Sequence, residues 1–88
     1  MKINPMKNNK QSQELYKTKD IFIASTLFAQ KIKLFSTDWV NDECFFCFEN
    51  KEKSEEIVRK YYIDDIKIAP KKLFNGFKDI KSILFSKR

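Results

Sequence analysis

The run Cys44-Phe45-Phe46-Cys47-Phe48, closed at both ends by Glu43 and Glu49, constrains the fold of this chain more than any other segment. In an extended backbone its side chains alternate, so Cys44, Phe46 and Phe48 share one face while Phe45 and Cys47 share the other. With both faces apolar, the run needs cover above and below. It reads as the central strand of a sheet, and the rest of the chain has to be arranged around it.

The segment before it supplies a partner. Ile32, Leu34 and Ser36 alternate with Lys33, Phe35 and Thr37, the period of a strand, and residues 38–42 read as the turn back into residues 43–49. Two strands joined by a short turn pair as an antiparallel hairpin. Upstream, Leu15 and Tyr16 suggest a short edge strand. Thr18 offers a hydroxyl as N-cap for a first helix over residues 19–31, with Asp20 in its first turn. The apolar residues of that helix, Ile21, Phe22, Ile23, Ala24, Leu27, Phe28 and Ala29, run nearly all the way round it, leaving Lys19, Thr26 and Gln30 as a polar edge. Such a helix is buried between layers or against a partner.

Asn50 is placed to cap a second helix over residues 51–62, with Ser54, Ile57, Val58, Tyr61 and Tyr62 as its stripe. On its outer face Glu55 with Arg59 and Glu56 with Lys60 are pairs four residues apart. Ile66 and Ile68 then alternate with Asp65 and Lys67 as a short third strand. Pro70 suits the first turn of a last helix that presents Leu73, Phe77, Ile80 and Leu84 inward. Gly76 in its interior costs about 1 kcal/mol relative to Ala, which points to close approach by another element. The fold class is therefore α+β: one small domain over residues 14–88, in the order helix, strand, strand, helix, strand, helix, with a mostly antiparallel sheet packed on helices. Phe46, Phe48, Ile57, Leu73 and Phe77 are its expected core. Residues 1–13, rich in Asn, Lys and Gln, read as a flexible basic arm.

The residue types limit the chemistry. With no His there is no ordinary general base near neutral pH, and with one Gly there is no glycine-rich phosphate cradle. Cys44 and Cys47 have C-x-x-C spacing, but in a strand positions three apart face opposite ways, and no further Cys or His completes a zinc set. Two Cys in such a chain suit a reducing compartment. Asp38 with Asp42, and Asp64 with Asp65, would serve a metal only if they converged with one another; at turns such residues are caps and turn formers. The sequence thus predicts no catalysis, no cofactor and no metal.

Charge is unevenly spread. Five Lys against two acidic residues make the first twenty residues +3, and seven Lys and Arg against three Asp make residues 63–88 +4. Residues 21–40 carry two against one, and residues 41–62 carry four against six, or −2. Basic ends favour a polyanionic partner. No stretch approaches the length of a membrane span, which suggests a cytoplasmic protein with no membrane partner.

One surface joins charge to aromatic side chains. In the last helix Phe74, Lys78, Lys81 and Phe85 follow spacings of four, three and four, so they run along one side, with Lys71, Lys72, Lys87 and Arg88 nearby. Rings could stack on bases while ammonium groups meet phosphates. Alternatively the two Phe form a second buried face with lysine stems reaching out to water.

The segment Leu15-Tyr16-Lys17-Thr18-Lys19-Asp20-Ile21-Phe22-Ile23-Ala24, the Cys44-Phe45-Phe46-Cys47-Phe48-Glu49 strand, Tyr61-Tyr62, and Lys81-Ser82-Ile83-Leu84-Phe85 together resemble a family of short uncharacterised proteins, a domain of unknown function, of phages and small-genome bacteria. The resemblance spans residues 15–85 and implies a compact single domain, with no activity to carry over. The family's Gly after the first helix is replaced here by Gln30-Lys31.

Two functions stay open on these grounds. One is a non-catalytic accessory module that contacts nucleic acid through its basic ends, using Lys71, Lys72, Phe74, Lys78, Lys81, Phe85, Lys87 and Arg88. The other is a small protein-binding inhibitor or adaptor of phage type, or a homodimer, that uses the apolar first helix.

Overall fold

The structure, a computed structural model, describes residues 14–86. The expected arm at residues 1–13, and Lys87 and Arg88, lie outside the described residues. The elements are β1 (Tyr16–Thr18), α1 (Ile21–Ala29), β2 (Leu34–Val40), β3 (Glu43–Phe48), α2 (Lys51–Tyr62) and α3 (Pro70–Ser86). The fold is α+β, and β3 is the centre of a three-stranded antiparallel sheet with β1 and β2 at its edges.

The third strand of that sheet is the one that precedes α1. Tyr16 pairs with Phe48 and Thr18 with Phe46. Residues 65–69, which span the expected third strand, form a connector without regular structure instead. The cause is local. Asp64 adopts a left-handed φ of 58°, and the Asp65 N–H donates to the Lys60 carbonyl at 2.8 Å, which closes α2. The connector then passes beside the end of α1, where Lys67 and Ile68 share a groove with Gln30 and Lys31, before reaching Pro70.

β1 also changes how α1 begins. Thr18 is held in the sheet, so its hydroxyl accepts from the Asp20 N–H at 3.1 Å instead of capping a helix. Asp20 is the N-cap: its Oδ1 accepts from Phe22 N–H at 2.8 Å and from Ile23 N–H at 3.2 Å. At the other end Lys31 takes a left-handed φ of 68°, and the helix is two residues shorter at each end than the sequence suggests.

The hairpin is tighter than expected. Asn41 and Asp42 both have positive φ, 51° and 68°, and alone join Val40 to Glu43, the conformation two-residue hairpin loops favour. Asp38, Trp39 and Val40 are therefore strand residues. An irregularity between Leu34 and Ser36 leaves Phe35 without an opposite residue on β3. This bulge reverses the alternation along β2, so that Leu34, Thr37 and Trp39 pair with the core-facing Phe48, Phe46 and Cys44.

The core lies between one face of the sheet and the helices. Phe46, Phe48, Leu27 and Ile80 are fully buried, with Ile23, Ala24, Cys44, Ile57 and Val58 around them. α2 has the expected bounds and cap, Asn50 Oδ1 accepting from Lys53 N–H at 3.2 Å. Glu56 and Lys60 pair at 3.7 Å on its outer side, and Tyr62, assigned to the buried stripe, is exposed. Of the remaining expected core residues, Leu73 and Phe77 are only half-buried. Gly76 is the reason. It lets α1 approach so closely that α3 turns Gly76 and Ile80 toward the core and leaves Phe77 at the margin.

Candidate nucleic-acid interface

α3 sets out its side chains about 100° apart per residue, so Phe77, Lys81, Phe74, Phe85 and Lys78 fall in order across an arc of roughly 100°. Phe74 is 68% exposed and Phe85 53% exposed. The alternative that these rings form a second buried face is thereby overturned. Among the described residues, α1 packs on the opposite side of α3 at Gly76, and Ile80 joins the core there.

The rings and lysines form one surface. Lys81 Nζ lies 5.4 Å from the centroid of the Phe77 ring and 5.8 Å from that of Phe85, within reach of a cation–π attraction to both. Phe77 stacks on Phe22 of α1, centroids 5.6 Å apart and planes 2° from parallel. Phe22 is itself 57% exposed, so a ledge of two rings borders the arc. Lys78 and Lys71 are exposed along its far side. Asp79, the one carboxylate in residues 70–86, falls about 100° beyond Lys78 and outside the arc.

Lys72 does not join this surface. It lines a separate groove with Lys31 and Lys67, where α3 begins beside the end of α1. Phe77, expected in the core, is half-buried at the border of this face, where it stacks on the exposed Phe22 of the apolar first helix. Phe22 lies between Lys19, which is exposed, and Thr26, which is buried, so the polar edge of the helix does not by itself give the exposure of Phe22.

The other candidate chemistries are not assembled. Cys44 and Cys47 are buried free thiols on opposite faces of β3. Cys44 packs in the core; Cys47 points to the far face, where its Sγ donates to Asp38 Oδ2 at 3.7 Å beneath a Lys17–Asp38 ion pair, also 3.7 Å. Burial pushes both thiols above their ordinary range, the reverse of what a reactive thiolate requires. Among the described residues no three of His, Cys, Asp and Glu gather as a metal set, so Asp38, Asp42, Asp64 and Asp65 stay apart as such a group. No helix among them is long and apolar enough to cross a membrane.

The chain matches no family model, no curated protein and no solved structure.

Proposed function

We propose that this protein is a non-catalytic cytoplasmic module that contacts nucleic acid, with α3 as its main binding surface. The observation that carries the reading is the exposed face on which Lys71, Lys78 and Lys81 stand beside Phe74 and Phe85, with no carboxylate of α3 in the arc among the described residues. A polyanion laid along this side of α3 meets ammonium groups and no carboxylate of the helix. Lys72, Lys31 and Lys67 extend the positive field around the start of the helix. The competing reading, a protein-binding adaptor or homodimer built on an uncovered α1, loses most of its motive. Ile23, Ala24 and Leu27 are buried inside the domain, Ile21 and Phe28 are partly buried against the core, and Phe22 is the exposed apolar side chain of the helix.

The test is fluorescence anisotropy of labelled oligonucleotides at two salt concentrations. If four lysines meet phosphates of a single strand, affinity falls with a log–log slope of about −3, or roughly fifty-fold between 50 and 200 mM salt. Micromolar or tighter binding with that dependence supports the proposal. No binding at the lower salt overturns it.

A further inference from the structure

We infer that the aromatic face of α3 takes single-stranded nucleic acid, DNA and RNA alike, by stacking unpaired bases on Phe74, Phe85 and the Phe22–Phe77 ledge; the inference rests on the nucleic-acid reading above. Phe22, Phe74 and Phe85 are each more than half exposed on one side of a small domain, and Phe77 lies among them. Contiguous apolar surface of this kind marks a contact site. From Phe74 to Phe85 the helix rises about 16 Å, room for several successive rings along one strand.

The position of Lys81 decides between a strand and a protein partner. Protein interfaces deplete lysine from their centres and keep charge at the rim. Here Lys81 lies in the middle of the patch, its Nζ 5.4 and 5.8 Å from two of the rings. A docked apolar surface would have to desolvate that ammonium with nothing to pair it. A strand would present a phosphate to it while its bases cover the rings, so charge and apolar surface are satisfied together. A duplex keeps its base faces stacked inside and could use only the lysines. The arc from Phe77 to Lys78 holds no hydroxyl, amide or carboxylate, so a 2′-OH meets only the ammonium donors that phosphates of either strand also use, which gives little preference for RNA over DNA.

The experiment is an anisotropy titration of the full chain with an unstructured DNA strand, the RNA strand of the same sequence and the matching DNA duplex, at low salt. Strands are expected to bind at least tenfold more tightly than duplex, with the DNA and RNA strands within about threefold of each other. Phe74→Ala and Phe85→Ala are each expected to weaken strand binding about five- to hundred-fold, while duplex binding and the salt slope stay as they were. Both side chains are exposed, and unchanged melting curves confirm that the variants fold. Equal affinity for strand and duplex, with both variants unaffected, overturns stacking and leaves the nucleic-acid reading standing. No binding to any of the three overturns both. Phe variants that abolish a dimer seen by light scattering, while strand binding persists, assign the face to self-association and overturn the inference alone.

Discussion

Gly76 lies against the backbone of α1: a Cβ at that position would stand 2.9 Å from the carbonyl oxygen of Ser25 and 3.5 Å from the Cβ of Ala29. The obstacle is main chain, which cannot swing aside as a long side chain can. In an open helix Gly→Ala would gain about 1 kcal/mol of helix propensity. Here overpacking, typically about 1–3 kcal/mol, opposes that gain. Gly76→Ala is expected to lower stability by about 1 kcal/mol net, a fall in Tm of roughly 4–8 °C by thermal denaturation. A rise in Tm would show that α1 and α3 are not in close contact at this point.

Where local chemistry decides, the sequence was legible. Asn50 followed by an amphipathic stripe is enough to place α2, and the doubly apolar run at Cys44–Phe48 is enough to make β3 central. Where an outcome depends on competition between distant segments, it was not. Ile66 and Ile68 alternate as a strand should, yet β3 has only one edge left beside β2, and Tyr16–Thr18 occupies it. The bulge at Phe35 is equally silent, because a period-two pattern looks unbroken until the register is known. The face of α3 was readable by spacing, but whether Phe74 and Phe85 were buried depended on which side of the helix Gly76 gave to α1.

Asn50 performs two tasks at the start of α2. Its side chain accepts from Lys53 N–H, and its backbone holds a left-handed φ of 59°. Asn50→Ala removes the cap and places a Cβ in a conformation Asn tolerates better than Ala, so a loss of about 1–2 kcal/mol is expected. Asn50→Gly also loses the cap hydrogen bond but relieves the backbone, and should cost only a few tenths. Urea titration of both variants checks the ranking. Equal losses would remove backbone strain from the explanation.

The loop of the hairpin offers the opposite case. Asp42, at φ 68°, occupies the second position of a two-residue turn, where Gly is the preferred residue. Asp42→Gly is expected to stabilise the domain by about 0.5 kcal/mol, a gain kept small by the greater freedom of glycine in the unfolded chain. Thermal denaturation reads it. A clear loss of stability would mean that the Asp42 side chain contributes more than its backbone angle.

The two thiols predict how stability depends on pH. Burial raises the pKa of Cys44 and Cys47 from an ordinary value near 9.0, and Asp38 adds to the rise in both, while at Cys47 a hydrogen bond with Ser36 and the charge of Lys17 offset part of it. Below that value both folded and unfolded chains hold the protons, and the contribution of the thiols is fully present. Above it the unfolded chain ionises first, so the contribution is lost as pH climbs toward the folded values, with a slope approaching about 1.4 kcal/mol per pH unit for each thiol. Urea midpoints measured from pH 7 to about 10 should fall above roughly pH 9 in the natural protein and less steeply in Cys47→Ala. Parallel curves would show that Cys47 titrates freely and is not buried.

Lys81 connects the stability of the face to its binding. Its ammonium lies over both Phe77 and Phe85, whereas Lys78, three residues earlier, is exposed. Lys78→Gln removes one charge and is expected to reduce the salt slope by about one phosphate contact, with stability unchanged. Lys81→Gln should reduce the slope equally and also cost about 0.5–1 kcal/mol of stability through the lost cation–π attraction. Because the Lys81 ammonium lies within reach of two rings of the face, Lys81→Gln is expected to weaken strand binding more than Lys78→Gln at every salt concentration. Paired titrations and melts separate the two effects. If the two variants are indistinguishable in both, the ammonium of Lys81 is acting as a charge alone, and the rings beside it are organised by the helix without its help.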